Sequence, residues 1–135
     1  MNGLKKRKPI LCLDFDGVIH SYTSGWQGAG NCPDAPVPGT LEFLIEATKH
    51  FTVMIYSSRS KSLRGRWAMI KYMREHFNYP LTFSPDHSAD WLPELIKYPW
   101  FKPPAMLTID DRAITFDGEW PTDMTELLTF KPWNK

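Results

Sequence analysis

The chain has 135 residues, 42% of them hydrophobic and 23% charged, values that suit one globular domain and exclude disorder over most of the length. Its 16 basic and 15 acidic side chains leave a net charge of +1, which argues against a dedicated nucleic-acid binder but leaves room for a local positive site. No stretch approaches the length of a membrane helix.

Residues 1–8 form a basic arm, with Lys5, Lys6, Arg7 and Lys8 read as solvated. The apolar run Pro9–Leu13 follows and ends abruptly in acids. It is too short for a signal peptide, so a cytoplasmic protein is the expectation. The same run suits a buried strand of a parallel sheet. Residues 20–38 are polar and rich in Gly and Pro, with Trp26 in the middle, and read as a flap-like loop. Of the two cysteines, Cys12 sits in an apolar run and Cys32 in this loop. No Cys-x-x-Cys spacing occurs, so neither a zinc knuckle nor a redox pair is indicated.

Pro38-Gly39-Thr40 opens a helical pattern with Leu41, Leu44 and Ile45 on one face. Phe51–Tyr56 reads as a second buried strand ending at Ser57-Ser58-Arg59, and Leu63–Phe77 as a second helix. Leu81–Phe83 is the next strand. Asp90–Tyr98 is a weak helix, compromised by Pro93 unless that proline lies in the first turn. Ala105–Ile109 is a further strand ending at Asp110-Asp111-Arg112, and Ala113–Phe116 a further short one. Thr122–Phe130 closes as a helix capped by Thr122, and residues 131–135 form a tail packed through Trp133.

Strands alternate with helices, which predicts an α/β fold with a mostly parallel sheet in a single domain spanning 1–135. In such sheets ligands sit beyond the carboxyl ends of the strands. Three apolar runs end in polar clusters, Asp14/Asp16, Ser57/Arg59 and Asp110/Asp111, which meet at one edge if those strands are adjacent. Carboxylates gathered there repel one another, and a divalent cation relieves the repulsion. An all-oxygen donor set suits Mg²⁺, which also accepts phosphate oxygens. Asp14 and Asp16 are two apart, so an extended strand points both the same way. One can attack while the other handles a proton, and an aspartyl-phosphate is an established covalent route. Gly17 permits a tight turn after them.

Leu13-Asp14-Phe15-Asp16-Gly17-Val18 resembles the first motif of the haloacid-dehalogenase (HAD) superfamily, Asp-x-Asp-Gly-Thr/Val after an apolar strand. Ile55-Tyr56-Ser57-Ser58-Arg59 resembles its second motif, and Leu107–Arg112 its acidic fourth. The three occur in the family's order and span nearly the whole chain. The resemblance implies a Rossmann-like, three-layer α/β/α sandwich without a cap domain, and a Mg²⁺-dependent phosphomonoester hydrolase. Asp14 becomes nucleophile and metal ligand. Asp16 becomes the general acid–base and lends its backbone carbonyl to the metal. Ser57 bonds the transferring phosphoryl group, with Ser58, Arg59 and Gly17 at the substrate. Asp110 ligates Mg²⁺ directly, and Asp111 does so through water or holds a ligand.

The family's third motif, a lysine, does not follow the Leu81–Phe83 strand. Lys102 is the preferred candidate and Lys97 the second, with Lys61 and Lys71 read as solvated helix positions. Arg59 either grips a distal phosphate or pairs with the acid cluster. His20 and Trp26 lie near enough in sequence to reach the site, and structural roles for both are the plainer expectation. The expected partner is a phosphorylated substrate, a small molecule before a nucleic-acid end, with no membrane. The competing readings are a catalytically quiet phosphate- or protein-binding module on the same fold, and a different transfer such as phosphomutase or phosphonate cleavage.

Overall fold

The computed structural model describes residues 7–83 and 89–135. Lys5 and Lys6 of the basic arm lie outside them. Lys8 is exposed but tied down, its Nζ donating to the Thr48 carbonyl at 2.9 Å.

The fold is α/β, built on a three-stranded parallel sheet. Strand β1 (Ile10–Leu13) lies between β2 (Thr52–Ile55) and β5 (Leu107–Ile109). Helix α1 (Thr40–His50) joins β1 to β2, as the period of its apolar residues predicts. Leu11, Leu13, Val53 and Ile55 share one sheet face and join a core with Leu44 of α1 and Met69, Tyr72 and Met73 of α2 (Leu63–His76). Between β2 and α2 runs a single 3₁₀ turn, Ser58–Lys61. Both cysteines are free.

The second half departs from expectation. Leu81–Phe83 does not join the parallel sheet. It forms β3 (Pro80–Phe83), antiparallel to β4 (Ala89–Trp91), in a separate two-stranded ribbon with an irregularity after Pro80. The helix expected over Asp90–Tyr98 shrinks to α3 (Leu92–Leu95), because Pro93 sits in its first turn and starts it late. Lys97 then bridges to Met54 through its backbone, extending the sheet beside β2. Ala113–Phe116 forms no strand. The last helix is α4 (Met124–Leu128), capped by Asp123 rather than Thr122: the Asp123 carboxylate accepts from the Thr125 and Glu126 N–H groups. No helix among the described residues is long and apolar enough to cross a membrane.

Gly65 is buried in the first turn of α2, pressed on the 3₁₀ turn. A Cβ there would overlap the Arg59 carbonyl oxygen and come 2.9 Å from the Arg59 Cα. In a free helix, Ala is favoured over Gly by about 1 kcal/mol. Overlap with backbone reverses that sign. Gly65→Ala is therefore expected to lower the unfolding free energy by roughly 1–3 kcal/mol in urea denaturation. A neutral or stabilised variant contradicts this packing.

Candidate functional site

The register of β1 sets the site. Leu13 stands opposite both Ile55 and Ile109. Beyond it, the Asp14 N–H donates to the Ile109 carbonyl at 3.0 Å, and the Tyr56 N–H to the Leu13 carbonyl at 3.1 Å. Asp14, Ser57 and Asp110 therefore leave the sheet close to one level. One carboxylate oxygen from each of Asp14, Asp110 and Asp111 lies within 4.8 Å of the others.

That crowding has an electrostatic consequence. Burial pushes the Asp14 carboxyl up to about 8, against the pull of the Phe15 N–H, with the Asp110 and Asp111 charges adding to the rise. Burial, together with its bond to Asp110, also raises Asp111. Two raised carboxyls converging with a third, all offering oxygen, fit a hard divalent cation such as Mg²⁺. The residues that could hold it are Asp14, Asp110 and Asp111.

Asp14 and Asp110 also line a cavity of about 290 Å³, together with Ser57, Ser58, Lys61 and Lys102 among others. Ser57 caps the 3₁₀ turn: its Oγ accepts from the Arg59 N–H at 3.0 Å, and its own N–H donates to Ser60 Oγ at 3.0 Å. Among the described residues, its hydroxyl proton has only the Met69 sulfur, at 3.5 Å, as partner. Turning it toward a ligand costs little. Of the two candidate lysines, Lys102 lines this cavity, while Lys97 is exposed and occupied at its backbone by the sheet. Lys102 has an anchored approach, since Pro103 is buried and Arg66 stacks on Trp100, Cζ 3.9 Å from the ring centroid. Lys61, read from sequence as a solvated helix position, also lines the cavity. The 3₁₀ turn carries it there, and the Ser57-x-x-Ser60 capping box was the available signal.

Asp16 belongs to a different network. The strand ends at Leu13, and a turn begins at Phe15, whose carbonyl accepts from the N–H groups of Val18, Ile19 and His20. Asp14 and Asp16 thus flank the start of that turn, and their carboxylates bond to different partners. Arg59 grips the Asp16 carboxylate with two donors, Nε to Oδ2 at 2.9 Å and Nη2 to Oδ1 at 3.1 Å. His20 adds a bond from Nδ1 to Oδ1 at 2.9 Å. Because the Asp34 N–H donates to His20 Nε2 at 3.0 Å, the neutral ring carries its proton on Nδ1. Although burial pushes Asp16 up, the His20 and Arg59 bonds win and hold it below the usual carboxylate value.

Arg59 is 1% exposed, and Nη1 is spent on the Gly28 and Ala29 carbonyls at 3.0 and 2.7 Å. Of its two expected roles, the geometry gives it the ion pair; its donors do not reach the cavity as a phosphate fork. The same bonds pin the 20–38 loop, helped by the Tyr72 hydroxyl donating to the Asp34 carbonyl at 2.9 Å. Trp26 covers Arg59, 4.8 Å from Cζ to ring centroid, which is the packing role expected of it. Gly17, at φ +83°, lies against Asp111, so that any Cβ there would overlap the Asp111 carboxylate.

The Asp16–Arg59 pair makes a testable statement about pH. A carboxyl held low in the folded state contributes stability that is full above its unfolded value, near 4, and is lost as pH falls through the lower folded value. Arg59→Met leaves the carboxylate buried without its counter-charge, at a cost of about 3–5 kcal/mol near neutral pH. Without the guanidinium, burial lifts Asp16, so the gap to wild type should narrow as pH falls toward about 4 and Asp16 protonates in the variant. Urea midpoints across pH 3–7 measure this; a gap independent of pH contradicts it. No family model matches the chain, and neither does a curated protein or a solved structure.

Proposed function

We propose that the chain is a divalent-metal-dependent phosphomonoester hydrolase of the haloacid-dehalogenase type, acting through an aspartyl-phosphate on Asp14, with Mg²⁺ as the cofactor. One observation carries the reading. Asp14 and Asp110 belong both to a cluster of acids that suits a cation and to the lining of a cavity that also bears Ser57, Lys61 and Lys102, which suit a phosphate. A nucleophile that shares one cavity with a cation site and anion donors is what phosphoryl transfer requires. The parallel order β2-β1-β5, with chain leaving β1 toward both sides, also fits a doubly wound sheet with its site at the switch point. We extend this to the HAD-type, capless, three-layer fold.

Bound Mg²⁺ would neutralise charge on Asp14 and on the phosphate oxygens, so that both ionise side by side. In the first step Asp14 Oδ attacks phosphorus and the bond to the leaving alcohol breaks, the alkoxide taking a proton. In the second, water attacks the same phosphorus and gives up its proton, the Asp14 Oδ–P bond breaks, and inorganic phosphate leaves with the Asp14 carboxylate restored. Ser57 and Lys102 hold the phosphoryl oxygens through both steps, with Lys61 beside them. Asp16 is the proton carrier in this scheme. Accepting a proton from water suits a carboxylate held low; donating one requires loosening from Arg59 first.

That clamp is also what favours the second reading, a quiet phosphate-binding module on the same fold. A panel of phosphomonoesters separates the two: sugar phosphates, nucleotides, a phosphopeptide, and 3′- and 5′-phosphorylated oligonucleotides, each with and without Mg²⁺. Turnover that needs Mg²⁺ and falls by a factor of roughly 10³ or more in Asp14→Asn is expected for a lost covalent nucleophile. Phosphate binding without turnover of any ester, metal present, contradicts the hydrolase and leaves the binding module.

A further inference from the structure

The segment Pro132–Lys135 returns across the whole chain to the turn behind the acid cluster. The Trp133 indole N–H donates to the Gly17 carbonyl at 2.7 Å, and Asn134 Nδ2 donates to the Ser21 carbonyl at 2.9 Å. Pro132 is buried, and Lys135 Nζ sits 5.6 Å from the Tyr22 ring centroid. The segment being held contains one strained residue, Tyr22 at φ +64°, while Gly17 at φ +83° supplies the turn without steric cost. Such backbone persists only where its surroundings fix it.

Gly17 is the point where this matters for chemistry. Its N–H donates to the His20 carbonyl at 2.7 Å, and its carbonyl accepts from Trp133, so the peptides on either side of its Cα are both tethered. That Cα is the surface on which the Asp111 carboxylate rests, close enough that a Cβ would overlap it. Asp111 is one of the three acids whose oxygens converge. A shift of the Gly17 peptide therefore moves the wall behind one of the three. Groups behind a ligand orient it, and loss of a directly bonded one typically weakens metal binding 10- to 100-fold; Trp133 acts one contact further back, through Gly17, so the lower end of that range applies.

We propose that Trp133 is a positioning residue for the acid cluster, its indole N–H fixing the Gly17 peptide and through it the Asp111 carboxylate. The inference rests on the cation-binding reading of that cluster. Trp133 is 63% exposed, so its ring adds little to the core, and removing its N–H should leave the fold intact.

The test uses the full chain and Mn²⁺, an oxygen-seeking probe read by loss of the free-ion EPR signal, with metal-free thermal unfolding in parallel. Trp133→Phe keeps a ring and removes the N–H. It should raise the Mn²⁺ dissociation constant roughly tenfold and leave the metal-free unfolding midpoint near wild type. Asn134→Ala removes the neighbouring bond without touching Gly17 and should bind Mn²⁺ close to wild type. Equal affinity in Trp133→Phe and wild type overturns the inference. So does an equal loss in both variants, or a loss that tracks a fall in the metal-free midpoint, since either outcome makes the segment a general anchor. A wild-type protein that takes up no Mn²⁺ overturns the cation-binding reading itself, and the inference with it.

Discussion

Everything at the candidate site follows from the level at which β1 pairs with its two neighbours. Leu13 faces Ile55 on one side and Ile109 on the other, and the next backbone bonds tie Asp14 to Ile109 and Tyr56 to Leu13. A slip of one residue on either side would turn the apolar positions out of the core. The pairing is thus held by burial of Leu11, Leu13, Val53 and Ile55. The chemistry is a consequence of that apolar constraint. Residues just past the buried run emerge together whether or not their charges favour it, and for Asp14, Asp110 and Asp111 they do not. The repulsion is tolerable because the cost is borne by a sheet that is stable for other reasons, and a cation would repay part of it.

The turn at Phe15 divides the acids into two groups of opposite character. Asp14 is held high by burial and by other acids; Asp16, two residues on, is held low by Arg59 and His20. Pairs of carboxyls whose surroundings push them apart in this way commonly divide roles between them. The Arg59 network also anchors the Gly28–Ala29 backbone, so what reads as a flap in the sequence is a loop pinned across its middle. Opening the cavity beside Asp14 does not require that loop to move, since Ser57, Lys61 and Lys102 approach from other segments.

What was legible in the sequence was local. An apolar run broken by Asp14, another broken by Ser57 and a third broken by Asp110 each announce a strand end, and the alternation with helices implies that those ends share an edge. Helix α2 could be read nearly to the residue, because its apolar spacing repeats over several turns. Features that depend on one proline, such as α3, or on competition between a sheet and a ribbon, such as β3, were not, since four-residue apolar runs carry no information about their partner strand. The separation of Asp16 from Asp14 turns on where the strand stops, the least readable property of any element. The bond from Trp133 to Gly17 spans 116 positions and leaves no periodic trace. Lys102 follows no strand of the parallel sheet, so its place in the cavity, near the Arg66–Trp100 stack, is one that no spacing rule predicts.

The most direct measurement of the central claim is paramagnetic broadening of backbone amide NMR signals by Mn²⁺ added to the full chain. If three strand ends share one cation site, the amides of Phe15, Ser57, Asp110 and Arg112 lose intensity first and together at low Mn²⁺, and the loss weakens along each strand toward Leu11, Val53 and Leu107. Broadening scattered over exposed acids such as Glu46 and Glu75, with the signals beside Asp14 and Asp110 untouched, would contradict the account.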